Sequence, residues 1–390
     1  MDRIYLDNAA TTAVREEVVE AMLPFFNQQF ANASSLHSSG QRVRHALEQA
    51  RDRTAAALAA DPEEIVFTGS GSEADNLAIF GIMQRSGKRD EFITSAIEHH
   101  AVLHAAEALR ARGARVTILP VDGDGFVKPE TLRENISERT ALVSIMHANN
   151  EIGVIQPIAR LAEIAHECGS LFHSDAVQSV GHLPVDVTAL GVDALSFSAH
   201  KFEGPKGAGG LFVREGVALE PLVFGGGQEN GRRSGTENVP GIVGLSVALD
   251  LAVKALPQTL PAISALRDDL IGRIVREIPE SALNGPAHER LPNNVSVRFT
   301  GIEGDTLVVG LDLAGIDIST GSACSSGSLE PSHVMTAIGL SGTQARGCIR
   351  ISLGRSTKGE HMALVMASLV PLVARLRKLS GTLFPGVEAS

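Results

Sequence analysis

The chain has no tryptophan, one tyrosine (Tyr5) and three cysteines among its 390 residues. With aromatics at 4%, the core has to be built from Ala, Val, Leu and Ile. Cys168, Cys324 and Cys348 are odd in number, widely spaced and without a C-x-x-C pair. That argues against a disulfide framework and a zinc site, and for a reducing compartment. No run of eighteen apolar residues occurs, so no membrane span is expected. The start, MDRIYLDNAATT, lacks the apolar stretch of a signal peptide, and a cytoplasmic location is expected. No basic run stands out either: 34 Lys and Arg face 45 Asp and Glu, a formal net charge of −11. Nucleic-acid binding through phosphate contacts is therefore not expected, and the acidic balance reads as solubility.

What the chain does have is an alternation of short apolar runs with helical patterns. QRVRHALEQARDRTAAALAA places Val43, Ala46, Leu47 and Ala50 at helical spacing and ends before Asp61-Pro62. EIVFTG, EFITSA, ARVTILPV, ALVSIMHA, LFHSDA, ALSFSAH and GGLFVR read as strands. PIARLAEIAHECG opens on Pro157 and stops at Gly169, as a helix should. Short strands separated by helices predict an α/β fold with a mostly parallel central sheet and helices on both faces. After about residue 255 the pattern changes to long helical stretches flanking NVSVRF and CIRISL. The expected domains are a large one over 15–255 and a smaller α+β domain from 1–14 and 256–390.

Parallel sheets bind ligands beyond the carboxyl ends of their strands, so the polar residues there are the ones to inspect. After EIVFTG comes Ser70-Gly71-Ser72-Glu73 at a helix start, where small residues and unpaired N–H groups suit an anion; an ordinary capped turn uses the same residues. After EFITSA come Glu98, His99 and His100, and His99 is either a flat platform for an aromatic ligand or a helix cap. After ALVSIMHA come Asn149 and Asn150, after LFHS come Asp175 and Gln178, and after ALSFS come His200 and Lys201. Singly, each has a bland reading. Together, an anion cradle, a ring platform, a carboxylate and a lysine at the ends of one sheet fit pyridoxal phosphate (PLP), whose ring accepts carbanion electrons when its nitrogen stays protonated.

FTGSGSEADNLAI, EHHAVL, MHANNEIGVIQPI, SDAVQSVG, SAHKFEGPKGAGGL, RRSGTENV and TGSACSSGSLEPSHV follow one another in that order. The set resembles the cysteine desulfurases, fold-type I PLP-dependent enzymes of the class V aminotransferase group, from Tyr5-Leu6-Asp7-Asn8 to about Arg355. The cysteine segment is similar to the group I branch, the housekeeping and nitrogenase-associated type. The resemblance implies that Lys201 forms the Schiff base, His99 stacks on the pyridine ring and Asp175 faces its nitrogen. It implies that Asn150 and Gln178 serve the phenolic oxygen, and that Gly71, Ser72, Ser198 and His200 hold the phosphate. Thr236 would reach the phosphate of a neighbouring subunit, which implies a homodimer. Arg350 would clamp the substrate carboxylate, with Asn32 assisting. Two departures are visible: Asn32-Ala33 stands where the family usually has Asn-Pro, and Ser70-Gly71-Ser72 where Gly-Ala-Thr or Gly-Gly-Thr is common.

The same resemblance gives Cys324 its role. ISTGSACSSGS sets a thiol among serines and glycines with nothing beside it to pack against, on an expected loop over about 319–331. There it would take sulfur from L-cysteine as a persulfide, release L-alanine, and hand the sulfur to a protein acceptor such as an iron–sulfur scaffold, or into tRNA thiolation. Only the thiolate is a competent nucleophile. Cys324 is also a candidate shared ligand of a forming iron–sulfur cluster; no other metal ligand set stands out. Cys168 and Cys348 read as small buried hydrophobes. Alternatives on the same scaffold are a selenocysteine lyase, a β-lyase or an aminotransferase, none of which requires Cys324; a different class is a PLP-fold protein that only binds partners.

Overall fold

The computed structural model describes residues 3–320, 331–379 and 381. Its central sheet has seven strands in the order Ile65–Thr68, Gly209–Val213, Ala194–Ser198, Leu171–Asp175, Thr140–Ser144, Glu91–Ser95 and Arg115–Leu119. Within this sheet Gly209–Val213 runs antiparallel to both neighbours, and the other pairings are parallel. Pleating sends successive side chains to opposite faces. Ile65, Phe67, Ile93 and Leu195 join one core with Leu47, Leu161 and Leu245. Val66, Phe92 and Ala194 join another with Leu77 and Val102 on the opposite face. The helices Ser38–Leu58 and Ile158–Glu167 cover the first face, and Gly71–Arg85 and His100–Ala111 the second.

A third core lies in the C-terminal part. Asn294–Phe299 pairs antiparallel with Cys348–Ser352 and with Ser281–Leu283. Val295, Val297, Ile349 and Ile351 pack with Leu307 and Leu369 of the helices Gly304–Asp312 and Gly359–Leu379. Ile4–Tyr5 pairs with Ile316–Asp317 and so ties the N-terminus to this core.

The change of pattern near residue 255 is not an element boundary. One helix of 39 residues, Val239–Glu277, runs through it. Its first half gives Ile242, Leu245 and Leu249 to the sheet core, and its second half gives Leu270 and Ile274 to the C-terminal core. Pro257 and Pro261 sit between the two sets. Proline costs a helix a backbone hydrogen bond, and here both fall between the residues given to the two cores. The helix is long and apolar enough to cross a membrane by composition, although half of its most apolar window is buried inside the protein. Of the two cysteines read as buried, Cys348 is, whereas Cys168 is only half-buried at the end of Ile158–Glu167.

Candidate active site

Ten of the expected residues line one cavity of about 370 Å3: Gly71, Ser72, His99, Asn150, Asp175, Gln178, Ser198, His200, Lys201 and Arg350. The sheet puts them there, because Asp175 ends one strand, Ser198 ends the next, and His200 and Lys201 follow in a short turn, Ala199–Lys201. Gly71 and Ser72 open the helix Gly71–Arg85, capped by the Ser70 hydroxyl, which accepts the Glu73 N–H at 3.1 Å. A methyl group on Gly71 would lie 2.7 Å from Val177 Cγ2, and one on Gly209 2.6 Å from the Ser70 carbonyl carbon. Two glycines therefore let the capped turn close against the strand ends, forming a cradle of the kind a phosphate occupies.

His99 does both things the sequence allows. Its Nδ1 accepts the Ala101 N–H at 3.1 Å as the cap of His100–Ala111, and its ring lines the cavity. Burial, with Lys201 nearby, lowers its pKa to about 4. The ring is therefore neutral at pH 7, with its proton on Nε2 because Nδ1 is an acceptor. Asp175 is buried and accepts the Val177 N–H at 2.9 Å. Burial outweighs that bond and the charge of Lys201, and pushes its pKa up to about 6. Asp75 lies beside it, and burial together with the Asp175 charge holds it well above the ordinary carboxylate range. Asp75 Oδ1 has no hydrogen-bond partner among the described residues. Two buried carboxyl groups next to a neutral imidazole make a place where a protonated ring nitrogen is electrostatically welcome.

Lys201 Nζ donates to the carbonyls of Ala9 and Ala10 at 2.6 and 2.8 Å, and Gln178 Nε2 to the Ala9 carbonyl at 3.0 Å. His200 Nδ1 lies 3.2 Å from Thr11 Oγ1. The N-terminal segment thus crosses the mouth of the sheet. Arg350 is buried on Cys348–Ser352, where Nη2 donates to Asp7 Oδ1 at 2.7 Å and Nη1 to the Asn150 carbonyl at 3.0 Å. Its Nε has no partner among the described residues.

Three expected residues are not in this cavity. Thr236 is exposed beside Gly235 and Arg233 in a separate depression. Asn32 does not line the cavity of its own chain; it is exposed, and its Oδ1 accepts the Ser34 N–H at 2.8 Å. The local turn uses that oxygen, while Nδ2 is the donor that a carboxylate contact would need. Cys324 lies outside the described residues. Both flanks of its segment meet the cavity wall: the Ser319 and Arg350 backbones exchange hydrogen bonds at 3.1 and 2.7 Å, Ser332 Oγ donates to Glu151 at 2.6 Å, and His333 Nε2 lies 2.9 Å from the Glu98 carbonyl.

Residues 4–365 match the family described as Aminotransferase class-V. "Cysteine desulfurase IscS" of Dictyoglomus turgidum is 48% identical over 97% of this chain and 96% of its own length. The protein of the same description from Methanosarcina thermophila is 50% identical over 97% and 93%. The chain belongs to the cysteine desulfurases of the class-V aminotransferase family. A solved "NifS-like protein" superposes with a TM-score of 0.88 at 38% identity, covering 98% of this chain and all of that one. The cofactor of this desulfurase family is pyridoxal phosphate, and the glycine-lined cradle, the neutral imidazole and the buried carboxyl pair fit its phosphate, ring face and ring nitrogen.

Sequence reasoning gave no role to Asp75, Glu98, Glu151 or the Ala9 and Ala10 carbonyls in this desulfurase cavity, nor to Asp7 beside Arg350. Glu98 is fully buried, accepts from Ser95 Oγ and from the Met146 N–H, and has its pKa pushed up to about 8 by burial. A carboxyl raised in the folded state stabilises the fold below its unfolded pKa and loses that contribution as pH rises through the folded one. Glu98→Gln removes the group that must ionise. Its melting temperature should match the parent near pH 5 and exceed it by about 5 °C at pH 9, measured by calorimetry across that range.

Proposed function

We propose that the cavity converts L-cysteine to L-alanine with bound pyridoxal phosphate and leaves the sulfur on Cys324 as a persulfide. The observation that carries this reading is the convergence of Lys201, Asp175 and Arg350 on one cavity whose wall also anchors Ser319 and Ser332, on either side of the Cys324 segment. Pyridoxal phosphate, when bound, supplies an electron sink for the pair left at the substrate Cα. Gly71, Ser72, Ser198 and His200 hold its phosphate, His99 covers one ring face, and Asn150 and Gln178 serve the ring oxygen. Asp175 keeps a proton on the ring nitrogen. Lys201 Nζ is the amine that carries the cofactor, and, once the substrate amine replaces it, the base that takes the Cα proton. Arg350 holds the substrate carboxylate. Asn32 has no part in this reading.

The Cys324 thiolate attacks the substrate Sγ, forming the S–S bond as the Cβ–S bond breaks. The electron pair goes to the substrate carbon, which takes up a proton and leaves as alanine. The sulfur then passes to a protein acceptor, with iron–sulfur cluster assembly as the first destination and tRNA thiolation as a second. Thr236 reaches the phosphate of a second copy of the chain. Its exposure supports that part of the reading, as do the exposed Leu23, Phe26, Phe30 and Leu36, which give the N-terminal segment an apolar surface.

The test supplies L-cysteine to the holoprotein and measures alanine together with sulfide released by a thiol reductant. Equal amounts are expected. Pyruvate and ammonia in place of alanine would identify a β-lyase instead.

A further inference from the structure

Arg350 is not a bare cation waiting for a carboxylate. Its side chain is 2% exposed, and Asp7 already lies 2.7 Å from Nη2 with its own side chain 20% exposed. Asp7 is held there independently of that contact. Its neighbours clamp it to the strand that carries Arg350, with Asn8 Nδ2 on the Ser352 carbonyl at 2.9 Å and the Ala9 N–H on Ser352 Oγ at 2.9 Å. The sole tyrosine closes the other side, Tyr5 donating its hydroxyl hydrogen to the carbonyls of Asp7 at 3.1 Å and Thr11 at 2.9 Å. Nη2 faces Asp7 and Nη1 the Asn150 carbonyl, each keeping a second N–H, and the buried Nε has no partner among the described residues. The other acid facing Arg350 is Glu151, which is buried and hydrogen-bonded to Ser332.

We propose that Asp7 is a positioning residue for the substrate carboxylate, fixing the plane of the Arg350 guanidinium and tempering its charge so that alanine can leave. The inference rests on the reading of Arg350 as the carboxylate holder. Substrate and product carry the same α-carboxylate and α-amine, so any attraction Arg350 offers is felt equally by both. Binding of that uniform kind lowers KM without helping the chemical step. An uncompensated guanidinium in a buried site would grip alanine as firmly as cysteine. A carboxylate fixed beside it opposes each incoming carboxylate and weakens that grip.

Asp7→Asn keeps an oxygen for Nη2 and removes the charge. KM for L-cysteine and the inhibition constant of L-alanine should both fall by about tenfold, the scale of one like-charge contact in a partly wet site. At saturating cysteine kcat should fall, because alanine leaves more slowly. Binding of cysteamine, which has the amine and thiol but no carboxylate, should be unchanged, an outcome that a merely structural role for Asp7 does not give. Alanine and cysteamine binding are read from the visible absorption of the holoprotein. Asp7→Ser, smaller and also uncharged, guards against a local misfit of asparagine and should shift the alanine constant in the same direction. Unchanged or weakened alanine binding in both folded variants overturns the inference. Arg350→Gln separates the two levels: it should weaken cysteine and alanine but not cysteamine, and if it weakens none of them the carboxylate reading of Arg350 fails as well.

Discussion

Cys324→Ala should cut alanine formation from L-cysteine by more than about 100-fold while leaving the bound cofactor in place. In the proposed reaction the Cβ–S bond breaks only as another sulfur takes the departing atom. Without that thiol, Lys201 can still remove the Cα proton, but the substrate sulfur has nowhere to go. Cofactor content should be unchanged, because Cys324 is not among the groups assigned to hold it. Cys324→Ser is the sharper comparison, since a hydroxyl of similar size is a far weaker nucleophile at neutral pH than a thiolate. Amino-acid analysis of alanine over time, beside the visible absorption of each protein, measures both effects. A selenocysteine lyase or β-lyase on the same scaffold would keep its activity in these variants.

Lys201→Ala should be at least as damaging, with activity down by about 1000-fold or more, and it should fail at a different point. Lys201 is assigned two tasks, covalent attachment of the cofactor and removal of the Cα proton, and among the described residues no other lysine lines the cavity. Gly71, Ser72, Ser198 and His200 remain to hold the phosphate, so the variant should still retain pyridoxal phosphate, but non-covalently. Borohydride reduction followed by mass spectrometry of the denatured chain distinguishes the two proteins: the parent should carry the cofactor mass and the variant should not. Exchange of the substrate Cα hydrogen with solvent deuterium should persist in Cys324→Ala and disappear in Lys201→Ala, which assigns the two residues to successive steps.

Much of the cavity was legible in the sequence because a parallel sheet leaves a regular trace. Each apolar run ends at a predictable place, so Asp175, His200 and Lys201 could be picked out at the strand ends, while Ser198 entered only through the resemblance. The capped turn at Ser70-Gly71-Ser72 announced itself by residue type. What remained hidden depends on contacts between distant parts of the chain. Asp7 meets Arg350 across 343 positions, and nothing local marks an aspartate near the N-terminus as the partner of a buried arginine. The Ala9 and Ala10 carbonyls that receive Lys201 are backbone atoms with no side-chain signature. Asp75 sits on the buried side of its helix beside Ala74, Leu77, Ala78 and Ile79, where periodicity marks a core position and says nothing about ionisation. Glu98 was visible at a strand end, but its burial comes from the Met146 backbone and Ser95 closing over it. The pattern break near residue 255 reflected a real change of surroundings, from one core to another, inside a single helix. Asn32 lies outside the cavity of its own chain, where asparagine serves a local turn through its oxygen.

The most direct measurement is a single turnover of the holoprotein with one equivalent of L-cysteine labelled with heavy sulfur, followed by thiol alkylation and peptide mass spectrometry. The labelled sulfur should be found on Cys324, in an amount matching the alanine formed, and on neither Cys168 nor Cys348. Alanine formed in full with Cys324 carrying no added sulfur would contradict the transfer of substrate sulfur to that thiol.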